Sequence, residues 1–189
     1  MLNVEKQNGR SPKKTLTWHS EHVCPLIGEL KMFIAPFVPS PTLVVEYMLK
    51  MADLKSGEVL FDMGSGDGRT VIMAAKTFGA RGVGIEMRED LAKKAMSSIH
   101  EHRLDDRVTI LNDDMFNVNL TSADVVYLYL TTSANEKVKP KLESDLKKGA
   151  RVVSHDYEII GWRPTKVETF CENPQLGYPS HTIYLYKKT

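Results

Sequence analysis

Three glycines at alternate positions, Gly64, Gly66 and Gly68, follow an apolar run that ends in an acid, Asp62, and precede a helix-compatible run over residues 70–76. Residues 59–70 read V-L-F-D-M-G-S-G-D-G-R-T, and eighteen residues beyond Gly68 a second acid, Glu86, closes another apolar run over 82–86. Strand, glycine turn, helix, strand and acid make one βαβ unit. The glycines let the backbone turn tightly and let a ligand approach where a Cβ would collide. The acid at the second strand's end can accept hydrogen bonds from both hydroxyls of a ribose. The unit is suited to an adenosine-containing cofactor at the carboxyl ends of its strands.

Two details depart from a dinucleotide fingerprint. The third glycine follows the second by two residues rather than three, with Arg69 behind it, and Asp62 stands before the first glycine. A carboxylate there would repel a pyrophosphate but suits the cationic amino group and sulfonium of S-adenosylmethionine. The expected cofactor is therefore S-adenosyl-L-methionine, with S-adenosyl-L-homocysteine as product. A tight turn without a ligand is the plainer alternative, and two acids at adjacent strand ends oppose it.

The rest of the chain fits this unit. Strands are expected at 59–63, 82–86, 108–112, 124–130 and 151–155, and helices at 68–79, 88–102 and 134–146. An earlier helix starts at Ser40 and Pro41, with serine as cap and proline at the first helical position, and carries Val44, Val45, Met48 and Met51 on one face. The helix at 134–146 ends in Lys147, Lys148 and Gly149, and Pro140 must kink it or mark its true start. Residues 166–171 and 181–187 read as an antiparallel hairpin, the second with period-2 alternation. Five alternating βα units with this tail give the fold class: α/β, a Rossmann-like seven-stranded methyltransferase sheet with helices on both faces. Residues 1–35 form a polar, partly flexible extension and 36–189 the methyltransferase domain. With 189 residues, 42% hydrophobic content and a net charge of +1, a single soluble domain is expected, with no nucleic-acid field in the total charge. Two cysteines and the lack of a signal-like or membrane-spanning apolar run point to a cytoplasmic protein.

Several motifs carry a more specific likeness. They are P-F-V-P-S-P at 36–41, F-D-M-G-S-G-D-G-R at 61–69, V-G-I-E at 83–86, L-Y-L-T-T at 128–132, K-P-K-L at 139–142, G-A-R-V-V-S-H at 149–155, G-W-R-P at 161–164 and H-T-I-Y-L-Y at 181–186. With them the chain resembles archaeal broad-specificity protein-lysine methyltransferases and their mitochondrial relatives that act on the ATP synthase c-subunit and the adenine nucleotide translocase. The likeness covers roughly residues 36–187. It implies transfer of a methyl group to lysine ε-amino groups of protein substrates, with no nucleic acid. It also implies cofactor contacts at Val38 and Pro39, and from Asp62, Gly64, Ser65, Gly66, Asp67, Gly68 and Arg69 in the glycine turn. Glu86 and Met87, then Asp113, Asp114 and Met115, and finally Leu130 complete the set.

Asp114 would accept from the adenine amino group, with Asp113 as substitute if the strand slips by one, and the Met115 amide would read a ring nitrogen. The alternative for Asp114 is an Asx turn. The fourth strand is followed by Leu130, Thr131 and Thr132 rather than the Asn/Asp-Pro-Pro-aromatic motif of base N-methylation. Candidates near the reacting atoms are Tyr129, Thr131, His155 and Trp162. Tyr127 and Tyr129 are equally readable as strand core, His155 as a general base, an orienting hydrogen-bonder or a structural histidine, and Trp162 as a lysine-channel wall or core. His19, His22 and Cys24 lack metal-ligand spacing, and no metal is expected. Competing functions are a small-molecule methyltransferase, an inactive cofactor-binding module and a nicotinamide reductase.

Overall fold

The computed structural model describes residues 37–189. The expected flexible extension at 1–35 and the expectations on His19, His22 and Cys24 lie outside the described residues. Seven strands form one sheet: β1 (Val59–Met63), β2 (Arg81–Ile85), β3 (Val108–Leu111), β4 (Val125–Leu128), β5 (Arg151–His155), β6 (Lys166–Cys171) and β7 (Ser180–Lys187). Their order is β3-β2-β1-β4-β5-β7-β6. The first five are parallel, and β7 runs antiparallel between β5 and β6. The order reverses between β1 and β4, the switch point where open α/β sheets bind ligands.

Helices α1 (Thr42–Met51), α2 (Arg69–Phe78) and α3 (Glu89–Glu101) bury Val45, Met48, Val71, Ala74, Ala95 and their neighbours on one face of the sheet. Helix α4 (Thr132–Asp145) buries Ala134, Val138 and Leu142 on the other. Strand alternation decides which residues meet which layer. Val125 and Tyr127 face the α1–α3 layer, whereas Val126 and Leu128 face α4. Gly84 on β2 allows a close approach: a Cβ there would lie 2.6 Å from the Ser65 hydroxyl, so a side chain would push the glycine turn off the sheet.

The structure corrects three sequence expectations and decides between two alternatives for Pro140. The residue before α1 is Pro41, with no side-chain cap; the Ser40 hydroxyl is instead hydrogen-bonded to Tyr127 and His155. Of the two expected places for Pro140, the helix interior and the helix start, the structure shows the interior of α4. Pro140 is exposed there, so the carbonyl it leaves unbonded faces water. The helix ends at Asp145 without a basic last turn, and Lys147 pairs with Asp124 at 2.6 Å. Finally, the βα alternation is incomplete, because no helix intervenes between β3 and β4 or between β5 and β6. Buried Leu120 and Ala123 in the β3–β4 connection cover sheet surface that a helix would otherwise cover.

Candidate functional site

A cleft of about 790 Å³, open mouth included, lies over the ends of β1, β2 and β4. The glycine turn forms its floor. Gly64, Gly66 and Gly68 all have positive φ, at 95°, 55° and 79°, a region that side chains rarely adopt. The turn is held to β2 by the N–H groups of Gly64 and Ser65, which both donate to the Ile85 carbonyl at 2.9 Å.

Glu86 follows β2 and is buried. Gly66 N–H donates to its Oε2 and Arg88 N–H to its Oε1, each at 2.8 Å. A carboxylate has about four acceptor sites, so both oxygens keep capacity toward the cleft. Asp62, at the end of β1, is buried beside the Thr70 hydroxyl. Burial raises its carboxyl to about 7; Glu86 and Asp67 add to the rise, and the Thr70 hydrogen bond opposes it. Asp67 forms a two-point pair with Arg69, through Nε at 3.0 Å and Nη2 at 2.7 Å, which holds its carboxyl below the usual range. Arg69 also donates through Nη1 to the Ser40 carbonyl at 2.9 Å, tying the segment before α1 to the glycine turn.

Residues 37–40 form one wall, with Phe37 and Val38 partly exposed at the mouth. Tyr127 and Tyr129 form another. Tyr127 pairs in register with Asp62 across β1 and β4, and both side chains turn to the same face. Burial holds the Tyr127 phenol well above its usual range, and so protonated. Acid dominates the lining: Asp62, Asp67, Glu86 and Asp113 against Arg69 alone among the described residues.

Of the expected cofactor contacts, Val38, Pro39, Asp62, Gly64, Ser65, Asp67 and Arg69 line the cleft, as do Glu86, Met87, Asp113, Met115 and Leu130. Gly66 and Gly68 do not. A Cβ on Gly66 would meet the Phe37 ring at 2.3 Å, and one on Gly68 would meet the Ala95 Cβ at 3.0 Å. Asp114 takes the alternative role of an Asx turn, its Oδ1 accepting from Phe116 N–H at 3.0 Å, and Asp113 is the carboxylate at the cleft. Thr131 caps α4, accepting from Ala134 N–H at 3.3 Å. Trp162 packs edge-on against Tyr186 on the α4 side, donates to Glu143 at 2.9 Å and is not among the residues lining the cleft. His155 lies behind the cleft, wholly buried and stacked on Tyr129 at 3.9 Å. Sequence reasoning missed Phe37, Ser40, Thr70 and Ile85 as lining residues. Period-2 alternation from Asp62 and Val125 was the available signal for Tyr127.

The residues fit S-adenosylmethionine. Ser65 Oγ is buried in the cleft wall without a hydrogen-bond partner among the described residues, and an unpaired buried hydroxyl is costly. The acidic lining suits a ligand with two cationic centres. Sheet order, glycine turn and paired acids together define a class I methyltransferase. Residues 62–166 match the family described as the ANTKMT methyltransferase domain, and the chain belongs to that family. A protein-lysine N-methyltransferase of Saccharolobus islandicus is 40% identical over 152 residues, covering 80% of this chain and 92% of the relative. The mouse adenine nucleotide translocase lysine N-methyltransferase is 30% identical over 135 residues, covering 70% of this chain and 57% of its own length. A Salinibacter ruber structure, described as an RNA methyltransferase in complex with S-adenosyl-L-homocysteine, is 43% identical with a TM-score of 0.73, covering 79% of this chain and 93% of that one.

Gly66→Val tests the glycine turn. A β-branched residue at φ 55°, with its Cβ on the Phe37 ring, should displace the turn at a cost of about 2 kcal/mol. Calorimetry should find no binding at cofactor concentrations that saturate the parent, while the far-ultraviolet dichroism and a cooperative melt persist.

Proposed function

We propose that this protein transfers a methyl group from S-adenosylmethionine to the ε-amino group of lysine in protein substrates. The observation that carries the reading is the 40% identity over 152 residues to a protein-lysine N-methyltransferase, beside a cleft that among the described residues is lined by four carboxylates, one guanidinium and two tyrosines. The acidic lining disfavours a phosphate backbone. Site assignments follow the lining: Asp62 toward a cationic amino group, Glu86 toward a ribose diol, and Asp113 with the Met115 amide toward the base. Tyr127 and Tyr129 stand closest to the incoming amine. Two cysteines in the chain suit a reducing, cytoplasmic setting. Among the described residues no helix is long and apolar enough to cross a membrane.

The bound cofactor supplies an activated methyl group on a cationic sulfur. The chain must then bring up a neutral amine in line. A lysine ammonium ordinarily loses its proton near 10.4, and enclosure by Phe37, Val38 and the tyrosines disfavours its charged form. Orientation supplies much of the remaining rate.

With isotope-labelled cofactor, label should enter protein, survive nuclease and appear as methylated lysine after acid hydrolysis. It should disappear when target lysines become arginine, which keeps the charge but stays protonated. Label confined to nucleic acid would favour the activity described for the Salinibacter protein, and label in small molecules would favour a small-molecule enzyme. Either result would end the lysine reading.

The domain division belongs to the same proposal: 1–35 as an extension, 36–189 as the methyltransferase domain. Removing residues 1–30 should spare activity. Removing 1–41 also removes Phe37, Val38, Pro39 and Ser40 from the cleft wall, and should abolish activity while the sheet stays folded. Full activity in the longer truncation would refute the division.

A further inference from the structure

We propose that Tyr127, Ser40, His155, His181 and Glu172 form a proton-exit path that runs from the cleft along one face of the sheet to the surface. It would carry away the proton released by each amine methylation. The inference rests on the lysine reading above.

With both histidines neutral, one direction satisfies the hydrogen bonds from end to end. Tyr127 Oη donates to Ser40 Oγ at 2.8 Å. The Ser40 proton then has His155 Nδ1 as its acceptor at 3.0 Å. That leaves His155 protonated on Nε2, which points at His181 Nδ1 at 2.9 Å. His181 is in turn protonated on Nε2, which meets Glu172 Oε1 at 3.2 Å. In this arrangement every donor finds an acceptor, and each tautomer follows from its neighbour's need.

The fold explains why these residues meet. Tyr127, His155 and His181 lie on β4, β5 and β7, and Glu172 directly follows β6. Side chains two apart share a face. Tyr127 follows Val125, His155 follows Val153, and His181 precedes Ile183, all three apolar residues belonging to the α1–α3 core. The order β4-β5-β7-β6 therefore lays the chain across the sheet laterally. Ser40 enters from above, fixed through its own carbonyl by Arg69.

The electrostatics suit passage rather than storage. His155 is wholly buried, and burial pushes its imidazole down to about 4, so it rests neutral. His181 pushes in the same direction, whereas Asp156 and Glu172 push back. The remaining titratable neighbours are Tyr129, stacked on the ring, and Tyr127, reached through Ser40. Asp156 Oδ2 lies 3.4 Å from His155 Nε2 and 3.6 Å from His181 Nδ1, where it can steady a passing imidazolium. Asp156 holds a left-handed φ of 57°, and its Oδ1 accepts from Thr182 N–H at 2.8 Å, so an unfavourable backbone is kept where this carboxylate is placed.

The reaction requires an exit. Lysine ammonium and sulfonium give methylated ammonium, neutral thioether and one proton. The N–C bond forms as the S–C bond breaks, and the electron pair stays on sulfur. The proton lost from nitrogen passes to the Tyr127 oxygen as the phenolic proton moves on to Ser40. Successive shifts deliver a proton to Glu172, partly exposed, and so to water.

The test compares wild type, His181→Gln, His181→Ala and Glu172→Gln on a lysine protein substrate, after calorimetry has verified unchanged cofactor affinity. Glutamine at 181 keeps hydrogen-bonding capacity but cannot relay. We expect kcat at pH 7 to fall tenfold or more in His181→Gln and severalfold in Glu172→Gln. The deficit should shrink toward pH 10, where the amine arrives neutral, and added imidazole should restore part of the rate in His181→Ala. Folded variants with wild-type kcat from pH 6 to 9 would overturn the path. A pH-independent deficit without imidazole rescue would also overturn it. So would one equivalent of transition metal in the isolated protein held by His155, Asp156 and His181, whose donor atoms lie within 4.8 Å of one another: the ion would take the lone pairs the path uses. A wild-type enzyme that labels no lysine overturns the amine reading instead.

Discussion

Glu86→Ala should weaken cofactor binding by roughly a hundredfold, about 3 kcal/mol. Two losses combine. The first is the charge-assisted acceptor pair that both oxygens still offer toward the cleft. The second is internal: Gly66 N–H and Arg88 N–H each lose the carboxylate oxygen they bond at 2.8 Å. The Gly66 bond joins the middle of the glycine turn to the end of β2, so its loss frees a turn whose glycines must all hold positive φ. Glu86→Gln separates the two parts. Its amide oxygen can take over one backbone N–H, so the turn should keep more of its order while the charge is gone, and binding should fall by less. Calorimetry with S-adenosylhomocysteine, alongside a thermal melt, reads both variants. Unchanged affinity in a folded Glu86→Ala protein would remove Glu86 from the cofactor site.

The acids were legible in the sequence because their position along a strand fixes their position in space. A residue at the carboxyl end of a parallel strand lies at the sheet's ligand edge, so Asp62 and Glu86 needed only the two apolar runs before them. The positions of the five parallel strands and of the tail hairpin were legible in the same way. Face and depth were harder. Thr131 and Trp162 both sit near the ends of parallel strands in sequence, yet one is spent on capping α4 and the other packs on the opposite layer. Asp113 and Asp114 differ by one residue in an irregular turn, where no periodicity says which carboxylate reaches the cleft. Ser40 was illegible for another reason. Proline after serine is an ordinary helix start, but the partners that claim its hydroxyl lie 87 and 115 residues away. A local pattern cannot show a competitor brought in by the fold. The missing helix between β3 and β4 is a further instance, since Leu120 and Ala123 supply the burial without helical spacing.

Asp62→Asn should move stability and binding in opposite directions. In the free protein, burial raises the Asp62 carboxyl from 3.8 to about 7. A folded value above the unfolded one means that the folded state prefers the protonated acid. Its favourable contribution is therefore complete below about pH 4 and is lost as pH rises through 7. Asparagine never ionises, so Asp62→Asn should escape this loss, which amounts to as much as about 4 kcal/mol above neutrality. The variant should melt several degrees higher at pH 8 and no higher at pH 4. Binding should show the reverse. A cationic amino group facing Asp62 favours the ionised carboxylate, so wild-type affinity should climb by up to tenfold per pH unit below 7, with close to one proton released on binding. Above about pH 8 the gain should turn to loss, since α-amino groups ordinarily deprotonate near 7.7–8.0. Calorimetry in two buffers of different ionisation enthalpy counts the proton directly. In Asp62→Asn the proton release should vanish, the affinity should flatten below pH 7, and binding at pH 7.5 should be at least tenfold weaker. If proton release persists in the asparagine variant, another acid meets the amino group. If the variant is no more stable at pH 8, Asp62 is not burdened by its burial, and the cleft does not hold a carboxylate waiting for a cation.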